Sequence, residues 1–443
     1  VMAGRVQLET SGPQDAFFTD DPEYTYFIKN FQKHSNFAPF FVDLDVEGEI
    51  EFDNIIRCTI PQDQGDLLKT VSFKVSLDAI DQSLKSQVDA SNGKGIGYNE
   101  SIGHAMIEYI ELYIGGQLIQ RIPRDFLAIY SDNYVTQTKQ KCLSKLIGKP
   151  PLELSGQQVA SEEILHYLGF ATTKSDYFID IPFYFHNNPE LAIPICAIDK
   201  QEIEIVIKLS KVEDCINCLS EIDGIDQPVY TGLSPSKLIK SFKVTTEMVS
   251  LTDVEKKKIK ENQTDYVISQ IQENKFIIET SSKLDKYRLN FINPVKELFF
   301  IIQTKNTGVV NQKFYSAFDY DTFYLTNADD NTYVNYEHLK SLKMSLDDSE
   351  ILNEETGDVI NLRAVQSGIH HSRTQLFRRY YSYSFALEPE RWYPTGQKNF
   401  SMVKDQNITL KTNHHNSADR ELRVLAHSYN ILRVENGIAQ TLF

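Results

Sequence analysis

Between Gln201 and Leu209 the chain reads QEIEIVIKL. Ile203, Ile205, Ile207 and Leu209 alternate with Glu202, Glu204, Val206 and Lys208. Successive side chains of a strand point to opposite faces, so one face here is dry and the other charged, interrupted only by Val206. A slip of one residue would carry those charges into the core, so the register is tightly set. The expectation is a half-buried strand at the edge of a sheet in a large β-structure. An aromatic run, Tyr177 to Phe185, precedes it. A polar turn, His186-Asn187-Asn188-Pro189, and a short apolar segment, Leu191 to Ile198, lie between. Nothing in this stretch has the look of a catalytic group.

The same alternation recurs along the chain. Phe40, Val42, Leu44 and Val46 share a parity, as do Ile56, Cys58 and Ile60, and Val71, Phe73, Val75 and Leu77. These read as half-buried antiparallel strands. Residues 108–114 and 117–122 read as a hairpin across Gly115-Gly116. Short helices are expected over Glu100 to Ile107, Asp125 to Tyr134 and Asp253 to Glu261. Further strands are expected over 239–249, 264–281, 286–291, 295–304, 342–346, 381–387 and 421–434. Leu298 to Ile302 is the kind of short apolar run that a buried strand supplies. Residues 137–175 and 305–337 lack sustained alternation and read as surface excursions.

A Gly- and Pro-containing stretch without periodicity separates two halves. The division is an N-terminal arm over 1–37, a first sandwich over 38–215, a linker over 216–236 and a second sandwich over 237–443. The arm is aromatic but aperiodic and is expected to pack under the first domain. Three segments of the first half echo the second in the same order: 69–77 with 295–303, 107–119 with 340–352, and 177–209 with 380–412. Echoes that keep their order point to two copies of one fold; chance alternation among similar strands is the competing explanation.

A chain of 443 residues suits two domains. Aromatic residues make up 11% of it, which favours strands. The net charge of −16 argues against coating a genome, since each phosphate contact needs a cation. Met2 reads as the initiator, preceded by Val1. The residues after it are polar and resemble no signal peptide, and no apolar run approaches a membrane span. Cys58, Cys142, Cys196, Cys215 and Cys218 are odd in number, which fits a reducing compartment and cytoplasmic synthesis.

The candidate chemistry is sparse. Cys215-x-x-Cys218 is a lone pair, whereas structural zinc wants four ligands. The doublets His370-His371 and His414-His415 read as surface-loop histidines, because neighbours in a strand diverge. Gly93, Gly95 and Gly97 read as a flexible loop rather than a nucleotide fingerprint. Glu388 and Glu390 share a face, the most that the sequence offers for a glycosidase pair; a solvated corner is the plainer reading. Arg373, Arg378 and Arg379 beside Tyr380 and Tyr381 form the clearest basic cluster, read as a strand entry or subunit contact. Sequons occur at Asn99, Asn262, Asn399 and Asn407. No catalytic, cofactor-binding or metal-ligating residue is assigned, and no cofactor is expected.

The aromatic strand followed by NNPELAIPICAI and EIEIVIKL resembles the first-domain signature of the double jelly-roll major capsid proteins of large eukaryotic DNA viruses, of the algal and amoebal type. Residues 237–303 are similar to the opening of that family's second domain. SYSFALEPERWYPTGQKNFSM (382–402) and ELRVLAHSYNILRVENG (421–437) are similar to its closing strands. The resemblance implies an all-β chain of two tandem antiparallel jelly-roll sandwiches with short helices in the loops, and a structural subunit rather than an enzyme. It implies a homotrimer forming a pseudo-hexagonal capsomer, many of which pave an icosahedral shell. Implied partners are neighbouring trimers and minor capsid and penton proteins. The inner membrane is reached only indirectly and nucleic acid not directly; the location is the virion capsid. Some members of the family carry surface glycans, so use of the four sequons stays open. A minor capsid paralogue and a carbohydrate-binding or carbohydrate-cleaving β-sandwich are the alternatives.

Overall fold

The structure is a computed structural model that describes residues 3–10, 12–29, 31–79, 95–99, 101–149, 175–219, 238–279, 284–304, 322–324, 333–335, 337–374, 380–413 and 419–443. Val1–Phe37 forms a unit of its own. It holds two short helices, Ala3–Glu9 and Pro13–Thr19. The second opens on a proline, and the Asp15 carboxylate accepts from the Gly12 amide at 2.8 Å, which satisfies one of the amides that a helix start leaves bare.

Eight strands build the main sheets of the first part of the remaining unit: β1 (Phe37–Asp45), β2 (Ile55–Ile60), β3 (Leu67–Leu77), β4 (Ile107–Ile114), β5 (Gln117–Pro123), β6 (Ser175–Asp180), β7 (Ile203–Leu209) and β8 (Ile239–Leu251). They form two four-stranded sheets, ordered β1-β8-β3-β6 and β2-β7-β4-β5. Eight more follow: β9 (Thr264–Ile278), β10 (Leu284–Arg288), β11 (Pro294–Thr304), β12 (Leu339–Leu346), β13 (Ser349–Leu352), β14 (Tyr380–Ser384), β15 (Gln406–Thr412) and β16 (Arg420–Glu435). Their sheets are ordered β9-β16-β11-β14 and β10-β15-β12-β13, with two short strands appended to the first. Adding eight to each strand number converts the first pair of sheets into the second. This is the strand order of two jelly rolls in tandem. The three expected echoes fall on topologically equivalent strands: β3 and β11, β4 and β12, and the pairs β6–β7 and β14–β15.

The register of β7 follows from its alternation. Ile205 lies between Cys58 of β2 and Leu112 of β4, and all three are fully buried. Burial of such a side chain contributes about 1.5–3 kcal/mol. Glu204 faces Thr59 and Tyr113 on the half-exposed side. The strand is not an edge, however: β2 flanks it on one side and β4 on the other. The β4–β5 hairpin turns on Gly115 and Gly116, both with positive φ (57° and 77°), the backbone that a two-residue hairpin needs.

One strand lies elsewhere than its sequence suggests. Ile239–Leu251, expected to open the second half, runs antiparallel along β3 and closes the first sandwich. A helix, Asp253–Glu261, then leads to β9; acidic residues in its first turn and lysines in its last suit its dipole. A second difference concerns the excursion after β5. The helix expected over Asp125 to Tyr134 is present as α1 (Arg124–Asn133), with eight of its ten residues buried; the difference is α2 (Gln137–Ile147), a helix at the head of the stretch expected to be irregular. Residues 150–174 lie outside the described residues, as does most of 305–337.

The two sandwiches share a core. Leu298, Phe300 and Ile302 on one face of β11 pack with Leu342, Met344 and Leu410 of their own sandwich. Phe299 and Ile301, on the opposite face, belong to the core that holds Ile205, Phe73 and Phe126 of the first. A sheet buried on both faces reads as a continuous apolar run rather than an alternation, and LFFII is that run.

Candidate functional site

The joint between the sandwiches carries the most unusual polar chemistry among the described residues. Glu297, on β11, is fully buried. One carboxylate oxygen lies 2.8 Å from His427 Nδ1 on β16 and accepts the Tyr134 hydroxyl, which follows α1. The other lies 3.2 Å from His371 Nε2. His371 Nδ1 in turn lies 3.4 Å from Glu390. Burial alone would push the Glu297 carboxyl up, but the two histidines outweigh it and hold it well below the usual carboxylate range. Burial opposes charge on His371 too, yet Glu297 and Glu390 raise it to about 9. His427 is pushed down to about 4 by burial and by the Lys296 ammonium. Lys296 is lowered by burial to about 8 although Glu297 and Glu390 pull the other way. Near neutral pH the joint therefore holds Glu297 ionised against a charged His371, with His427 neutral and donating from Nδ1.

Further polar links tie α1 to the second sandwich. Arg423 Nε lies 2.7 Å from Asp125, and Tyr380 donates to Asn133 at 2.6 Å. Asp132 is buried against Lys149 at 2.6 Å. Beside these groups lies a crevice of about 220 Å³, walled by Tyr130, His186 and Asn187 from the first sandwich and by Lys296, Glu390 and Trp392 from the second. The joint is built to hold two sandwiches together. One oxygen of Glu297 is hydrogen-bonded to protein groups and the other faces His371 at 3.2 Å.

The residues singled out in the sequence are dispersed. Cys215 is buried, its thiol pushed up by burial and directed at the Ala105 carbonyl at 3.6 Å; the Cys218 side chain lies outside the described residues. Among the described residues no three His, Cys, Asp or Glu side chains converge as a metal site. Gly95 and Gly97 sit on a short strand, Gly95–Tyr98, paired with Ile216–Leu219, rather than in a loop; Gly93 is outside the described residues. His370 is half-buried and meets the Leu387 carbonyl, and the side chain of its neighbour His371 is a buried ion-pair partner, not a surface histidine. His414 and His415 are outside the described residues. Glu388 pairs with Arg391 at 2.6 Å, and Glu390 accepts from the Ser372 amide at 2.7 Å. Arg373 donates to Gln137 at 2.7 Å; Arg378 and Arg379 are not described. Asn99 is buried and donates to the Asp214 carbonyl. Asn262 and Asn399 are exposed and Asn407 is half-buried.

Sequence reasoning missed the joint because its members are far apart in the chain. The one available signal was Lys296-Glu297 abutting LFFII. Charges at the head of a strand buried on both faces need partners, and the sequence does not say which.

Comparison with known proteins agrees with the architecture. A family model for the major capsid protein N-terminus matches residues 25–247, and one for the large eukaryotic DNA virus major capsid protein matches 255–440. Their division falls near the end of β8. A major capsid protein of Phaeocystis pouchetii virus is 24% identical, with 98% of each chain covered. One of Pyramimonas orientalis virus is 25% identical, again with 98% of each covered. A quasi-atomic model of the PBCV-1 virus capsid superposes with a TM-score of 0.73 at 18% identity, covering 95% of this chain and 100% of the other. A Faustovirus major capsid protein gives 0.72 at 12% identity, over 98% and 97%. Two tandem jelly rolls with a shared core, matched end to end by these models, place the chain in the major capsid protein family of large eukaryotic DNA viruses.

Proposed function

We propose that this chain is the repeating tile of a viral shell, working as a homotrimer in which three copies supply six jelly rolls to a pseudo-hexagonal capsomer. The observation that carries the reading is the two-fold repetition of one eight-strand order within a single chain. Three such chains give a near-hexagonal outline with only three-fold symmetry, and hexagonal tiles pave an icosahedral shell. The proposed division is a first sandwich over 38–251 and a second over 264–443, joined by the Asp253–Glu261 helix. The work of the protein on this reading is binding, with no catalysed reaction. Contacts within the trimer are extensive, and those with neighbouring trimers and with minor capsid and penton proteins are smaller. The charge of −16 disfavours direct genome contact. The thiols of Cys58, Cys142, Cys196 and Cys215 are free, in keeping with synthesis in the host cytoplasm.

Light scattering on the purified chain tests the reading. The expected mass is three times the chain's 50.9 kDa. Copy number in a particle reconstruction separates a major shell subunit from a minor one of the same fold.

A further inference from the structure

We propose that the crevice between the two sandwiches binds one neutral saccharide unit. Its volume of about 220 Å³ is several times the roughly 30 Å³ share of one water and below the roughly 300 Å³ at which drug-sized sites begin. The lining offers donors, acceptors and aromatic faces together. The Lys296 ammonium is fully buried and has three donors. One goes to the Pro389 carbonyl at 2.8 Å, and the Tyr429 ring lies 5.2 Å away. His186 Nδ1 is buried without a protein partner. Glu390 supplies a carboxylate whose oxygens accept from Ser372 and keep further lone pairs. Tyr130 and Trp392 line the same space.

A sugar ring matches this set. Its hydroxyls both donate and accept, and its C–H faces cover aromatic rings. The charges of the lining favour a neutral ligand. Lys296 stands against Glu390, and Arg391, also in the lining, is held by Glu388 at 2.6 Å. A phosphate or carboxylate would meet the Glu390 carboxylate. Saccharide binding is independent of the coat-subunit reading, because it rests on the crevice alone.

Trp392 is the only tryptophan in the chain, so its fluorescence reports on this wall without labelling. The experiment titrates the full chain with glucose, galactose, mannose, fucose and N-acetylglucosamine, and separately with sodium phosphate and sodium acetate. The expected result is a saturable change with at least one sugar in the millimolar range and none with either anion. Glu390→Gln, which keeps the shape and removes the charged acceptor, is expected to weaken that sugar about tenfold, as loss of a charge-assisted hydrogen bond does. No saturable change with any sugar overturns the proposal and marks the crevice as water-filled. A change with phosphate or acetate alone overturns the ligand class. Equal affinity in Glu390→Gln overturns the assignment of the lining. The titration of the unaltered chain decides the matter even if that variant fails to fold.

Discussion

Arg423 of β16 reaches Asp125 of α1, Nε to carboxylate, across 2.7 Å and between the two sandwiches, and both side chains are about nine-tenths buried. Arg423 also donates to Gln303 at 2.8 Å and to Glu421 at 3.1 Å. Removing one member of such a pair leaves a buried charge without its partner, which typically costs about 3–5 kcal/mol. Asp125→Leu is expected to lose about 3 kcal/mol, since Gln303 and Glu421 still serve the guanidinium. The double replacement Asp125→Leu with Arg423→Met is expected to cost less than the sum of the singles. Urea unfolding of the four proteins in the cycle measures this.

The histidine joint makes stability fall on the acid side. His427 sits at about 4 in the fold against an ordinary 6.5. Its contribution is complete above pH 6.5 and is lost as pH falls from there through 4. Glu297, held below the usual range, loses its contribution as pH drops beneath the ordinary carboxylate value. The two add. The groups facing His427 are Glu297, Tyr134, Phe126, Lys296 and His371. On the alkaline side His371, raised to about 9, loses its contribution as pH climbs through that value. Lys296, lowered to about 8, acts in the opposite sense between there and 10.5, so the alkaline changes partly cancel. Thermal melts of the unaltered chain are expected to lose on the order of 3 kcal/mol from about pH 6.5 to 4 through His427. His427→Asn should flatten that part of the curve; an unchanged slope would contradict the assignment.

The starting strand gives the sharpest contrast between neighbouring positions. Ile205→Asp puts a carboxylate among Cys58 and Leu112 and is expected to cost more than about 4 kcal/mol, enough to leave little soluble protein. Glu204→Ala, one residue away on the half-exposed face, is expected to stay within about 0.5 kcal/mol. Expression yield and chemical unfolding compare the two.

Neither sandwich is expected to fold stably alone. A fragment covering 38–251 would lack Phe299, Ile301, Tyr380 and Leu425, which complete its core. A fragment starting at 252 would expose that same face of β11 and β16. Each should be insoluble or bind a hydrophobic dye, and co-expression should rescue both. Two monomeric, cooperatively melting fragments would show that the shared core is dispensable.

What could be read in the sequence was local or repeated. Local patterns placed Ile203 to Leu209, the Gly115-Gly116 hairpin and the Asp253–Glu261 helix, because each depends on residues a few positions apart. The order of the echoes gave the tandem fold. Pairing between distant strands was not legible. β8 looked like the start of the second half because a Gly- and Pro-containing stretch precedes it, yet its hydrogen bonds go back to β3, some 170 residues earlier. β7 looked like an edge because one face is charged, and alternation reports faces, not neighbours. His371 looked like a surface residue because nothing near it in sequence predicts Glu297.

The central claim is that this chain is a tile of a shell, and the native particle tests it most directly. Light scattering at micromolar protein, joined to negative-stain images, should show a three-chain particle of near-hexagonal outline. A stable monomer at that concentration would contradict the account.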